Sequence, residues 1–222
     1  MRLIFLIIGI IFSSNVFSQD NFDKKNEIKY GLIIDTIDIH KFSREIKSLW
    51  KNDTIIIRRY YEPTVDTNYF RLLYKDKSYI PNLEDIKKHN DFLATVAQNC
   101  FSYALEMYFR SNCLLNIDLF NNETYINSDS FKKILNSSFE LVQEFNVIKK
   151  RKLYPKEQLK DSSLIVFSNH YDMIIHSVYY ENNIFYTKNG GLKPVITEKI
   201  SDLFKLYWDT KNINVYIWKE KK

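Results

Sequence analysis

Two residues in this chain have the chemistry and the order needed for acyl transfer. Cys100 sits in Gln98-Asn99-Cys100-Phe101-Ser102-Tyr103-Ala104-Leu105, and 76 residues later His176 stands in Met173-Ile174-Ile175-His176-Ser177-Val178-Tyr179-Tyr180. The first run reads as the start of a helix and the second as a strand. Helix N-termini carry unpaired backbone N–H groups and partial positive charge, which favour thiolate over thiol. The same N–H groups can hold the oxyanion of an acyl intermediate. An imidazole on a later strand can take the thiol proton and deliver it to the leaving group. The expected reaction is attack by Cys100 on an amide or ester carbonyl.

A third polar side chain is expected to orient the imidazole. Asn182-Asn183 reads as a two-residue hairpin turn, because Asn tolerates positive φ. Glu181 then pairs with Ile184, and counting back sets His176 opposite Asn189, about 5 Å away between Cβ atoms. Asn189 can accept from the ring N–H and fix its tautomer, so the expected catalytic set is Cys100, His176 and Asn189. A three-residue turn would bring Lys188 opposite instead. Lysine cannot accept a hydrogen bond, and its charge would disfavour the imidazolium. His170 reads as a turn residue, and His40 and His89 lie apart from the pair. No Cys/His/Asp grouping has metal-ligand spacing, and no Gly-rich phosphate loop or nucleophile-elbow serine is present. No metal or cofactor is expected.

The elements that must hold these residues follow from periodicity. Residues 30–40 alternate and are rich in Ile, which predicts a strand; residues 41–50 carry Phe42, Ile46 and Leu49 at helical spacing. Residues 54–61 and 69–74 read as strands around Glu62-Pro63-Thr64, and residues 83–90 as a short helix or turn. Phe101, Ala104, Leu105 and Tyr108 give the cysteine helix, over about 98–110, one apolar face. Ser128-Asp129-Ser130 offers caps for a further helix with Phe131, Ile134, Leu135, Val142 and Phe145 along its apolar side. Residues 164–167, 173–180 and 184–188 read as consecutive strands, 197–207 as a helix and 214–218 as a closing strand. The expected fold class is α+β, with a cysteine-bearing helix packed on an antiparallel sheet.

Asn99-Cys100-Phe101-Ser102-Tyr103-Ala104 resembles the (Asp/Asn)-Cys-x-x-(Tyr/Phe) start of the catalytic helix in NlpC-like, papain-fold peptidases and amidases. The stretch from Leu159 through Ser162-Ser163 to Phe167 is similar to the lead into that family's first core strand. Ile175-His176-Ser177-Val178-Tyr179-Tyr180 is similar to its His-bearing second strand, and the strand reaching Lys188-Asn189-Gly190-Gly191 to its third. The resemblance covers about residues 95–190. Two of the family's features are missing: the Gly-Asp before the first core strand, here Ser162-Ser163, and the Ser-Gly after the cysteine. The resemblance implies a papain-like (NlpC-like) fold and hydrolysis of a peptide amide, often in cell-wall peptidoglycan. The backbone N–H of Cys100 would be one oxyanion donor, and Gln98 is a candidate side-chain donor. Two other functions fit the same residues: a non-catalytic binding protein with both side chains merely packed, and an acyltransferase in which an amine or alcohol replaces water.

Composition sets the remaining expectations. Arg2 followed by the apolar run Leu3 to Phe12 and by Val16-Phe17-Ser18 reads as a signal peptide over residues 1–18, so the mature chain is expected to be exported, periplasmic or secreted. Residues 19–222 then form a single domain, with 19–90 as an N-terminal extension of unassigned role. Aromatics make up 16% of the chain against four Gly and four Pro, enough to build a packed core. The 32 basic and 27 acidic residues are intermixed and leave a net charge of only +5, and no nucleic-acid module is present. The densest basic run, Lys149-Lys150-Arg151-Lys152, suits a helix end or an anionic envelope surface. Cys100 and Cys113 are 13 residues apart. Along one helix that is roughly 20 Å, beyond the ~7 Å a disulfide spans between Cα atoms, so both thiols are expected to be free.

Overall fold

A computed structural model of the chain describes residues 30–39, 43–60, 67–112, 118–147 and 159–219. The expected signal peptide, His40, Cys113 and the basic run at 149–152 lie outside the described residues. Two antiparallel sheets carry the architecture. The first has the order β1-β2-β3-β4, from β1 (Tyr30–Ile39), β2 (Ser43–Trp50), β3 (Asp53–Tyr60) and β4 (Thr124–Ile126). The second has six strands: β5 (Phe139–Asn146), β6 (Ser163–Asn169), β7 (Ile174–Glu181), β8 (Ile184–Lys188), β9 (Pro194–Thr197) and β10 (Thr210–Trp218). Their order is β5-β10-β6-β7-β8-β9, so the C-terminal strand is inserted between β5 and β6. The helices are α1 (Thr67–Leu73), α2 (Leu83–Ala97), α3 (Cys100–Asn112), α4 (Ser128–Ser138) and α5 (Ile200–Leu206). Mixed helix and antiparallel sheet make this an α+β protein.

One core joins the first sheet to the cysteine helix. Ile46, Trp50, Ile55 and Ile57 from the sheet pack with Cys100, Phe101, Leu105 and Phe109 from α3 and with Phe131 and Ile134 from α4. The rings of Phe101 and Phe131 stack at 4.7 Å with 14° between planes. Trp50 is fully buried and still satisfies its indole, whose Nε1–H donates to Ser138 Oγ at 2.8 Å. The N-terminal strands are thus part of the core that seats Cys100. A second core lies on the other face of the six-stranded sheet, where Phe167, Val178, Tyr180, Phe185, Ile213 and Val215 meet Leu203 of α5.

Several elements differ from the sequence-based expectation: the helix from Leu83 runs on to Ala97, and β4 and β9 were not expected. Residues 43–50 form a strand, because the buried positions are Ile46, Ser48 and Trp50, a period of two that the serine conceals from a hydrophobicity reading. Residues 67–73 form a short helix instead of a strand, anchored by buried Phe70 while Leu72 and Leu73 face solvent. Val142 and Phe145 are not on a helix. α4 ends at Ser138, and the chain runs straight into β5, which pairs with β10. Long-range pairing outweighs local helical spacing there.

Candidate active site

Asn99 starts the helix that presents Cys100. Its Oδ1 accepts from the N–H of Ser102 at 3.2 Å, and Ser102 Oγ accepts from the N–H of Asn99 at 3.2 Å, a reciprocal cap. Asn99 Nδ2 also donates to the carbonyl of Ile126 at 2.6 Å, tying the helix start to β4. Asn99→Ala removes the cap and orphans a buried carbonyl. We expect a loss of about 2–3 kcal/mol, read as a lower urea midpoint at unchanged slope.

The cysteine sulfur meets β7 at the peptide adjoining His176. Backbone N–H groups of Ser177, Phe101 and Cys100 itself face the sulfur and favour a thiolate. Ser177 Oγ donates to the carbonyl of Cys100 at 3.1 Å, a second tie between strand and helix start. Burial opposes these donors and wins: Cys100 is 9% exposed, and its thiol is pushed up to about 11. It is a free thiol.

His176 is fully buried. Its Nε2 is 2.8 Å from Thr187 Oγ1, its ring stacks on Tyr207 at 3.9 Å with 15° between planes, and Phe167 closes another side at 5.8 Å. Burial without a carboxylate partner lowers the imidazole to about 3. Nδ1 is buried and has no hydrogen-bond partner, so no hydrogen bond joins it to the sulfur. Alternation along β7 gives the reason. Ser177 and Tyr179 face the cysteine helix, whereas His176 shares its face with Val178 and Tyr180 and lies opposite Phe167. The thiol meets the backbone of β7 beside His176 while the imidazole lies on the other face of the strand, and both are uncharged at neutral pH.

The turn at Asn182-Asn183 has the expected two residues, both at positive φ (50° and 65°), with Glu181 paired to Ile184. The ladder between β7 and β8 runs only as far as Tyr179–Tyr186, so the position opposite His176 is not held by pairing. The ring instead finds the diagonal neighbour on the same face, Thr187. Asn189 lies beyond the end of β8, and its Oδ1 accepts from the phenol of Tyr207 at 2.8 Å. Lys188, on the other face, is buried and donates to the carbonyl of Leu192 at 2.7 Å. Gln98 is no free oxyanion donor, because its amide donates to Glu106 and to the carbonyls of Phe120 and Asn121. His170 is exposed in the turn before β7.

Thr187, Ser177 and Tyr207 are the residues that sequence reasoning missed. The same count that pointed to Asn189 reaches Thr187 two residues earlier on the same face, so the threonine was within reach of the register argument. Tyr207 has no local signal, since it reaches His176 from the C-cap of α5, far away in sequence. Among the described residues no group of His, Cys, Asp and Glu could hold a metal ion, and no helix is long and apolar enough to cross a membrane. No protein-family model matches the chain, and neither a curated protein nor a solved structure matches it.

Proposed function

We propose that this protein is an exported thiol hydrolase of papain-like (NlpC-like) architecture that cleaves a peptide or amide bond, with peptidoglycan-type peptides as the substrate class. The observation that carries the reading is the sulfur of Cys100, held at a helix start against the peptide N–H that follows His176. Cys100 attacks the carbonyl carbon, and as the S–C bond forms the thiol proton passes to His176 Nδ1. Nδ1 is the ring nitrogen left without a partner, while Nε2 lies 2.8 Å from Thr187 Oγ1, and the transfer uses the tautomer that carries its proton on Nε2. The backbone N–H groups of Cys100 and Phe101 are then available to the oxyanion. The C–N bond breaks as the proton moves from His176 to the departing nitrogen, and water hydrolyses the thioester. An amine or alcohol acceptor in place of water would make the same site an acyltransferase.

Proton transfer from sulfur to Nδ1 needs the imidazole to turn toward Cys100, a local rearrangement that substrate binding would drive. The second reading, a binding protein with both groups packed, is favoured by their neutrality and by the missing sulfur–imidazole bond. p-Nitrophenyl acetate separates the two. The hydrolase reading expects a burst of p-nitrophenol and an acetyl thioester that mass mapping locates on Cys100. No burst, or acetylation spread over lysines with Cys100 untouched, removes the enzyme.

A further inference from the structure

β1 is the outer strand of the four-stranded sheet and pairs with β2 on one side. Among the described residues nothing pairs with its other edge. Every residue from Leu32 to Ile39 is exposed, so both faces of the strand stand clear of the core. Leu32, Ile33, Ile34 and Ile37 are about half exposed, and Ile39 is 73% exposed. Such an edge offers a row of backbone N–H and C=O groups to another chain, and natural proteins usually blunt it with lysine, proline, short length or a covering element. β1 is ten residues long and has neither Lys nor Pro. Its guards are Asp35, Asp38 and three register shifts in the ladder with β2. The other outer strands are built differently. β4 has three residues, β5 carries Glu140, Gln143 and Glu144, and β9 is four residues long and starts at Pro194.

The occupant of this edge must be an extended strand, because it has to supply backbone partners along its length and apolar side chains on both faces at once. A helix or a flat surface would meet one face and leave the peptide groups unpaired. Among the described strands, β1 itself has that chemistry. We propose that β1 is a self-association edge: two copies join antiparallel along it, and their four-stranded sheets become one eight-stranded sheet across a two-fold axis. The aspartates select the register. An axis at Asp35 would set two carboxylates face to face, which is destabilising. An axis at Ile34 keeps residues 30–38 in the overlap, with Leu32 opposite Thr36, Asp35 opposite Ile33 and Asp38 opposite Tyr30. Covering the five aliphatic side chains and the backbone edge removes on the order of 500–600 Å² per copy, the low end of specific interfaces, which suits a micromolar dimer. The pairing is independent of the chemistry at Cys100.

Sedimentation velocity of the purified protein over about 1–200 µM should show the mass moving from one chain to two. Amide hydrogen exchange, read by peptide mass analysis, should slow across residues 30–38 as the concentration rises. Ile34→Lys sets two ammonium groups against each other at the axis and is expected to weaken the dimer at least about a hundredfold. Its thermal transition should stay cooperative, since the side chain is half exposed in the single chain. Leu83→Lys, at a more exposed leucine on α2, should leave the dimer intact. A single-chain mass throughout the range overturns the proposal. So does a dimer that exchanges as fast at 30–38 as the dilute protein, or one that Ile34→Lys leaves unchanged. Dissociation by Leu83→Lys alone would move the contact to α2 and overturn it too. Slowing at 30–38 that appears only with an added isoleucine-rich extended peptide would give the edge to a foreign strand and end the self-pairing. If Ile34→Lys does not fold, the wild-type exchange profile decides alone.

Discussion

His176→Ala is expected to slow acetylation of Cys100 by p-nitrophenyl acetate roughly a hundred- to ten-thousand-fold, the range typical for loss of a general base. The resting state of the sulfur makes a base necessary. Burial pushes the thiol to about 11, so at neutral pH almost no thiolate exists to react unaided. The proton must leave during the attack, and His176 Nδ1 is the unpartnered ring nitrogen beside the site, which must be freed of its burial to act as a base. Cys100→Ala should abolish the burst altogether. Thr187→Val should give a smaller loss, because the base remains while its ring loses the hydroxyl that holds Nε2. Each variant must keep the wild-type near-ultraviolet circular dichroism for its rate to count. Equal burst rates in wild type and His176→Ala would show that the imidazole takes no part, and the Cys100–His176 mechanism would fall.

The second large effect is on stability in acid. His176 has a folded value of about 3 against 6.5 for a free imidazole. Above pH 6.5 the ring is neutral in both folded and unfolded chains, and the folded state is at its full advantage with respect to this group. Between pH 6.5 and about 3 the unfolded chain binds a proton that the folded one does not, so stability falls as pH falls through that window. The full loss is on the order of 4–5 kcal/mol, at most about 1.4 kcal/mol per pH unit. Urea unfolding at a series of pH values should show this slope, and His176→Leu should flatten it. His89, also lowered by burial, adds in the same direction and remains in both proteins, so the difference between them isolates His176. Identical slopes below pH 6 would mean that the imidazole is hydrated and titrates normally.

Local chemistry made part of this legible in advance. The apolar spacing of Phe101, Ala104, Leu105 and Tyr108 announces a helix from about residue 98, and the cysteine helix begins at Cys100. Asn182-Asn183 announces a tight turn because both residues accept positive φ, and the register that follows reaches the correct face of β8. The strands at Tyr30–Ile39, Ser163–Asn169 and Ile174–Glu181 are visible from β-branched and aromatic runs. Where a buried serine interrupted the alternation, as at Ser48, a strand looked helical. Where pairing with the distant C-terminal strand won, as at Val142 and Phe145, a helix pattern became β5.

The chain by itself determined the α+β class, the helix that begins at the cysteine and the strand that carries the histidine, because caps, turns and periodicity act over a few residues. Tertiary structure decided the state of the site. The side of β7 that faces each group, the choice of Thr187 over Asn189 as the partner of the ring, and the arrival of Tyr207 over His176 all depend on segments distant in sequence packing together. Burial, which drives the thiol and the imidazole in opposite directions to their neutral forms, is likewise a property of the assembled core. No stretch of residues around Cys100 or His176 encodes it.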